Sequence, residues 1–317
     1  MQAAEALGWP VVEDLRTRAG RPTGLGWPGA EPPEGLRGPG EDRAVRGVAR
    51  RLPPPPGRRV LAVANQKGGV GKTTSAVNLA VALAQGGLRV LLVDLDPQGN
   101  ASTALGLPPE RRATSVYDVL VDETPLARAR VDVPGVPGLT CVPSVIDLAG
   151  AELELASQVA REQRLRDALD GVDDVDYVLV DCPPSLGLLT LNALVAAREL
   201  LIPIQCEYYA LEGLGQLTTV VDMVARRLNR GLSVSAILLT MYDPRQRLAD
   251  QVAAEVRAHF SDTVLDAVVP RSVRVSEAPS HGQTVLTYEP DSRGAAAYRA
   301  AAAELAGRGV PPTRQGR

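Results

Sequence analysis

The sequence predicts an α/β fold, a mostly parallel, twisted sheet with helices on both faces. Three observations carry this. From Arg59 onward, short runs of Val, Leu and Ile alternate with longer helical stretches. Near-continuous apolar strands divided by helices belong to a sheet buried on both sides. A glycine-rich loop stands between the first apolar run and the first helix, the context of a phosphate-binding loop. Aromatic residues make up only 3% of the chain, so the core has to be built from Val, Leu, Ile and Ala, which suits buried parallel strands.

Residues 1–58 stand apart. They are rich in Pro, Gly and Arg and end near the run Pro53–Pro56. Such composition buries too little apolar surface to offset its ordering entropy, so the stretch reads as a disordered extension. Within it, Arg43, Arg46, Arg50 and Arg51 fall at near-helical spacing. That leaves a short basic arm for DNA or a partner as the alternative to a solvated linker. The proline run would act as a stiff spacer. Residues 59–309 form the folded domain and 310–317 a flexible tail.

Within the domain, strands are expected at Val60–Ala64, Val90–Val93, Val178–Val180, Leu200–Ile204 and Ala236–Leu239, with one more around Val268 and Val269. The first helix runs from Thr73 to Gln85 and ends at Gly86-Gly87. Further helices are expected over about 147–170, 188–198, 211–229 and 246–260. No internal repeat is visible.

Bulk properties exclude several classes. A net charge of −3 means that any DNA contact has to come from a local patch. Cys141, Cys182 and Cys206 are isolated, with no CxxC and no Cys/His set at metal spacing, which fits a reducing compartment. No stretch approaches the roughly 20 apolar residues of a membrane span. The start lacks a charged-then-apolar leader. A cytoplasmic protein with no membrane partner is expected. His281, near Ser276 and Glu277, lacks a nucleophile elbow, and His259 lacks metal-ligand company.

The strongest chemical signal is Asn65-Gln66-Lys67-Gly68-Gly69-Val70-Gly71-Lys72-Thr73-Thr74. Glycines let the backbone aim several N–H groups at one anion, and the helix N-terminus adds its positive end. Lys72 would reach the β- and γ-phosphates, and the Thr73 hydroxyl would hold Mg²⁺. The usual pattern begins with Gly at the position of Gln66, so a strict motif search fails here. A second lysine, Lys67, stands at the loop entrance instead. It would repel Lys72 unless a triphosphate offsets the charge.

Two acidic strand ends support the site. Val93-Asp94-Leu95-Asp96-Pro97 puts Asp94 and Asp96 on one side of its strand. Val180-Asp181-Cys182-Pro183 ends another strand in a carboxylate. Ligands of α/β sheets lie beyond the carboxyl ends of strands, so Asp181 is placed to hold Mg²⁺ through water. Asp94 and Asp96 are placed for the metal shell and the attacking water. A lone Asp at such a position is more often a helix cap; it is the set of three beside a phosphate loop that argues for chemistry.

From about 59 to 309 the chain resembles the ParA/Soj/MinD group of deviant Walker A P-loop ATPases, and within it ParA/Soj. The resemblance rests on Lys67–Thr74, Val93–Asn100, Asp181–Gly187, Gln205–Gly213 and Arg274–Gly282. It implies an ATP-sandwich homodimer that binds DNA without sequence preference, lies on the nucleoid and answers to a ParB-type partner, which stimulates a slow hydrolysis. Lys67 would match the signature lysine that crosses to the partner's phosphates. Asp96 would match the carboxylate whose loss blocks hydrolysis, with Asp94 in the metal shell and Asp181 as the Walker B aspartate. Gly68, Gly69, Val70, Gly71, Lys72, Thr73 and Thr74 would hold the nucleotide. Met241 and Pro270 fall where the family lines its adenine pocket, and Arg245 and Arg274 where it holds DNA, with Arg247 and Arg271 as neighbours.

Three other readings compete. A MinD-type membrane ATPase needs an amphipathic C-terminal helix with bulky apolar residues, whereas Ala295–Leu305 is alanine-rich. An iron–sulfur relative needs paired cysteines. A small-molecule kinase would transfer phosphate to an acceptor without dimer-coupled DNA binding.

Overall fold

The computed structural model describes residues 51–207 and 210–309. The expectations for residues 1–50 and 310–317, including the arginines at 43, 46 and 50, lie outside the described residues.

The apolar runs become eight strands: β1 (Arg59–Val63), β2 (Val90–Asp94), β3 (Val131–Asp132), β4 (Leu139–Val142), β5 (Tyr177–Asp181), β6 (Glu199–Gln205), β7 (Ser233–Tyr242) and β8 (Val264–Pro270). They form one sheet in the order β3-β4-β2-β5-β1-β6-β7-β8. Only the edge pair β3–β4 is antiparallel. Every residue of β1, β2 and β5 is buried, as strands covered on both faces must be.

The covering helices include α1 (Lys72–Gln85), α2 (Asn100–Ala104), α3 (Leu188–Ala196), α4 (Ala210–Arg227), α5 (Arg247–His259), α6 (Val273–Glu277), α7 (Val285–Tyr288) and α8 (Arg293–Gly307). The α1 helix opens directly after the β1 loop, and its Ala76, Leu79, Ala80 and Leu83 are fully buried. The α8 helix packs against α1 and β8. Its buried residues are Gly294, Ala295, Tyr298, Ala301, Ala302 and Leu305, so its apolar stripe is already covered within the domain. Among the described residues no helix is long and apolar enough to cross a membrane.

A buried charge fixes the end of the sheet far from the phosphate loop. Arg59, at the start of β1, pairs with Glu199 at 2.6 Å and donates to the Leu305 and Arg308 carbonyls at 2.7 and 3.0 Å. A buried ion pair needs such extra hydrogen bonds to offset its desolvation. Here they also fasten the C-terminal end of α8 to the central strands.

Three sequence expectations are corrected. The stretch 147–170 is two helices, Leu148–Leu155 and Arg164–Leu169, parted where Ala160 takes a left-handed backbone (φ 54°). Strands β3 and β4, of two and four residues, were not foreseen, nor was α8. The Pro-rich stretch also contacts the domain at its described end. The Leu52 N–H donates to Gly86 O at 2.9 Å, and Arg58 donates to the Leu169 carbonyl at 2.6 Å and to that of Val172.

Candidate functional site

Strand pairing decides what meets at the carboxyl edge. Val63 and Asp94 both pair with Asp181, so the loop after β1 and the acidic ends of β2 and β5 are immediate neighbours. In the loop, Gly69 (φ 75°) and Gly71 (φ 88°) adopt backbone that a side chain resists. Gly71 caps α1, and no side chain bonds to that N-terminus. No cap thus competes for its first-turn N–H groups, and such a helix N-terminus is a ready seat for an anion. Two sequence-distant partners, Thr240 and Pro203, stiffen the loop. The buried Thr240 hydroxyl donates to Val70 O at 2.8 Å. Asn65 donates to Pro203 O at 2.8 Å and accepts from the Lys67 N–H at 3.0 Å. The ties to Thr240 and Pro203 are not readable from the motif, because they lie 170 and 138 residues along the chain.

Lys72 is only 6% exposed, and its ammonium donates to Lys67 O at 3.1 Å. Burial lowers its pKa, while Asp181 foremost, Cys182 and Asp96 oppose that shift. Lys67 has a partner that the sequence did not suggest: its Nζ lies 2.6 Å from Glu207 Oε2. The expectation that only a triphosphate balances this second cation is corrected, since β6 leads a carboxylate to it from 140 residues away.

Asp181 is fully buried, and neither carboxylate oxygen has a hydrogen-bond partner of good geometry. Burial first, then the adjacent Asp94, hold its proton well above the usual carboxylate range, with Thr73 and Lys72 opposing. Asp94 is also fully buried. Burial lifts it from 3.8 to about 6 against the Ser102 hydrogen bonds. Such an orphaned carboxylate beside the Thr73 hydroxyl fits a hard divalent cation. No cluster of three or more His, Cys, Asp or Glu side chains at metal spacing occurs among the described residues, so phosphate oxygens and water would complete the shell. Asp96 is 7% exposed, and its Oδ1 accepts from the Gln98 N–H at 3.0 Å.

The pKa directions give a sign for pH dependence. Between about 4 and about 6 the unfolded chain loses the Asp94 proton while the folded chain keeps it. The Asp94 contribution to stability is therefore complete at low pH and falls as pH rises through that window, and Asp181, raised further, adds in the same direction. A cation needs the carboxylate, so its binding should expel a proton and tighten with rising pH. Calorimetric Mg²⁺ titration of the nucleotide-loaded chain in two buffers of different ionisation enthalpy should show proton release, and Asp181→Asn should abolish it. Equal heats in both buffers for the parent chain would count against the cation seat.

Met241 and Pro270 stand at the ends of β7 and β8, whose register pairs Tyr242 with Pro270. Both are half-buried. Met241 has a left-handed backbone (φ 49°), uncommon for a residue other than glycine, and its Cε lies 3.8 Å from the position of a Cβ on Gly71. Arg245 and Arg274 follow the same two adjacent strands. The Arg245 side chain is 90% exposed and pairs with Asp243, and that of Arg274 is 55% exposed and pairs with Glu277. Arg247 and Arg271 are exposed as well. The structure thus gathers the loop, Asp94, Asp96 and Asp181 at the ends of β1, β2 and β5, and carries the arginines beyond the ends of β7 and β8, with Arg247 opening α5 and Arg274 in α6. A cleft of ≈ 660 Å³ among the described residues, lined in part by Leu126, Arg164 and Val172, contains none of the phosphate-loop residues.

Comparison with known proteins adds three findings. The AAA domain family (AAA_31) matches residues 58–234. The "Chromosome partitioning protein ParA" of Caulobacter vibrioides (strain NA1000 / CB15N) is 53% identical over 253 residues, covering 79% of this chain and 94% of its own. The "Sporulation initiation inhibitor protein Soj" of Bacillus subtilis (strain 168) is 50% identical over 252 residues, covering 79% and 99%. Among solved structures, one from Mycobacterium smegmatis, named a cobyrinic acid a,c-diamide synthase with bound ATP analogue and magnesium, is 40% identical with a TM-score of 0.68, covering 80% of this chain and 98% of that one.

Proposed function

The chain belongs to the ParA/Soj family of chromosome-partitioning P-loop ATPases, and from that premise we propose that it is an ATP-driven dimerisation switch that holds DNA without sequence preference and releases it on hydrolysis. ATP and Mg²⁺ are its cofactors. From the M. smegmatis relative we carry over the nucleotide and the cation, not the reaction in its name, because the partitioning relatives are more similar.

The observation that carries this reading is the loop itself: a phosphate seat with two lysines, set beside a buried carboxylate that has no hydrogen-bond partner of good geometry. Gly68–Thr74 bind the phosphates, with Lys72 at the β- and γ-groups. Thr73 and, through water, Asp181 hold Mg²⁺, and Asp94 stands beside that shell. Bound Mg²⁺ supplies charge neutralisation of the phosphates. Asp96 orients the water, and Met241 and Pro270 line the adenine. Lys67 crosses to the ATP of a second copy, so nucleotide state sets dimer stability. Turnover is slow until a ParB-type partner stimulates it, and the dimer resides on the nucleoid in the cytoplasm. The MinD-type alternative is disfavoured by α8, whose apolar stripe is already packed.

The test is DNA retention with ATP, ADP and no nucleotide. Binding only with ATP supports the switch, and equal binding in all three states removes it. Arg245→Ala and Arg274→Ala should each keep the ATP dimer but weaken binding to an arbitrary duplex. Each arginine neutralises a phosphate, so the slope of log affinity against log salt should become shallower by about 1 for each arginine removed. Fluorescence anisotropy across a salt series reads this, and an unchanged slope would remove those residues from the interface.

A further inference from the structure

Asp94 and Asp181 are register partners at the same strand ends, yet they are bonded in opposite ways. Asp181 accepts nothing of good geometry. Asp94 has both oxygens engaged: Oδ2 accepts from the Ser102 hydroxyl at 2.7 Å and the Ser102 N–H at 2.8 Å, and Oδ1 from the Asp96 N–H at 3.3 Å. The Ser102 hydroxyl also accepts from the Ser144 N–H at 3.0 Å. Ser102 is fully buried and thereby joins the end of β2, helix α2 and the turn after β4.

Just beyond the other end of α2 the chain touches the arginine-bearing segment with no side chain between. Gly106 (φ 69°) meets Gly282 (φ 62°), and a Cβ on Gly106 would stand 2.9 Å from Gly282 O. Gly282 closes the 3₁₀ turn Ala278–His281, which continues directly from α6 and its Arg274. A second tie runs alongside. Asn78 donates to Thr74 O at 2.7 Å and accepts from the Val285 N–H at 3.0 Å, fixing the start of α7 to the helix of the phosphate loop. Gly106 and Gly282 are half-buried, and backbone against backbone has no rotamer to absorb a displacement, so a shift of α2 passes on to residue 282.

We propose that Ser102 is a positioning residue for the phosphate site, and that α2, held at Asp94 and abutting Gly282, transmits cation occupancy beside Asp181 to the turn at 278–284. The proposal rests on the reading that a nucleotide and Mg²⁺ fill this site, and not on DNA binding by Arg274. Neutralising Asp181 changes the field on Asp94. Among the described residues the Asp94 carboxylate is bonded by Ser102 and the Asp96 amide, and Ser102 lies on α2, so α2 is the element tied to it.

Hydrogen exchange of the full chain tests this without DNA, using ADP in EDTA against ADP with Mg²⁺. ADP alone should protect residues 66–74. Adding Mg²⁺ should slow exchange at 278–284 by about five-fold or more. Ser102→Ala should still be protected at 66–74, lose the Mg²⁺ response at 278–284, and need about ten-fold more Mg²⁺ to reach half-saturation. Wild-type exchange at 278–284 that ignores Mg²⁺ while 66–74 is protected overturns the proposal even if the variant fails to fold. A folded Ser102→Ala that keeps the response overturns it too. No protection at 66–74 with either ligand would instead overturn the reading of the site itself.

Discussion

Asp96→Ala is expected to leave ATP bound and to slow its hydrolysis by about 10²–10⁴-fold, the range lost when a group that positions or deprotonates the attacking nucleophile is removed. The geometry gives the reason. Asp96 sits just past the end of β2, nearly buried, with Oδ1 held by the Gln98 N–H and Oδ2 free of any hydrogen bond among the described residues. One oxygen fixes the side chain and the other is left to accept from water. If hydrolysis is the release step, the alanine variant should accumulate as an ATP-bound dimer and stay on DNA. Single-turnover hydrolysis and retention on an arbitrary duplex measure the two consequences. Asp96→Asn keeps an acceptor for the Gln98 N–H and separates loss of the water contact from collapse of the turn. Hydrolysis within a few-fold of the parent in both variants would remove Asp96 from the chemistry.

The core of this site was legible in the sequence because its parts are local. Strand, loop and helix follow one another from Arg59 to Gln85, and Asp94 and Asp181 end β2 and β5, with Asp96 two residues past β2. What stayed hidden is what packing alone brings together. Thr240 reaches Val70 across 170 residues, and Glu207 reaches Lys67 across 140; no spacing rule links them. The break in 147–170 was invisible for another reason. Its turn uses Ala160 rather than glycine or proline, with Arg161 donating to Ala156 O and Arg164 to Gln158, so a side-chain arrangement replaces the usual breaker. β3 and β4 are too short for a period to show, and the Pro-Gly stretch between them reads as loop. The alanine-rich α8 carries a weak apolar pattern, although alanine is the best helix former and the packed stripe is plain once its neighbours are known.

Lys67→Ala is expected to have the larger effect on assembly, and its contrast with Glu207→Gln separates a resting contact from a working one. In the single chain Lys67 pairs with Glu207 at 2.6 Å, but the two side chains are 39% and 48% exposed. A pair that open is worth about 0.2–1 kcal/mol. Glu207→Gln should therefore change the ATP needed for half-maximal dimerisation by no more than about five-fold, and downward, because it frees the ammonium. Lys67→Ala removes the charge that a second copy's triphosphate would meet in a site shielded from water. A cation supplied in this way by a second chain is worth about 10³–10⁵ in phosphoryl-transfer rate, so hydrolysis should fall by at least the lower figure and the ATP dimer should be lost. Light scattering with saturating ATP in an Asp96→Ala background isolates assembly from turnover. There, Glu207→Gln should dimerise at least as readily as its parent, while the Lys67→Ala double variant stays monomeric and leaves DNA unbound. A double variant that dimerises normally would mean that the second lysine serves Glu207 alone, and the switch would have to lie elsewhere in the fold.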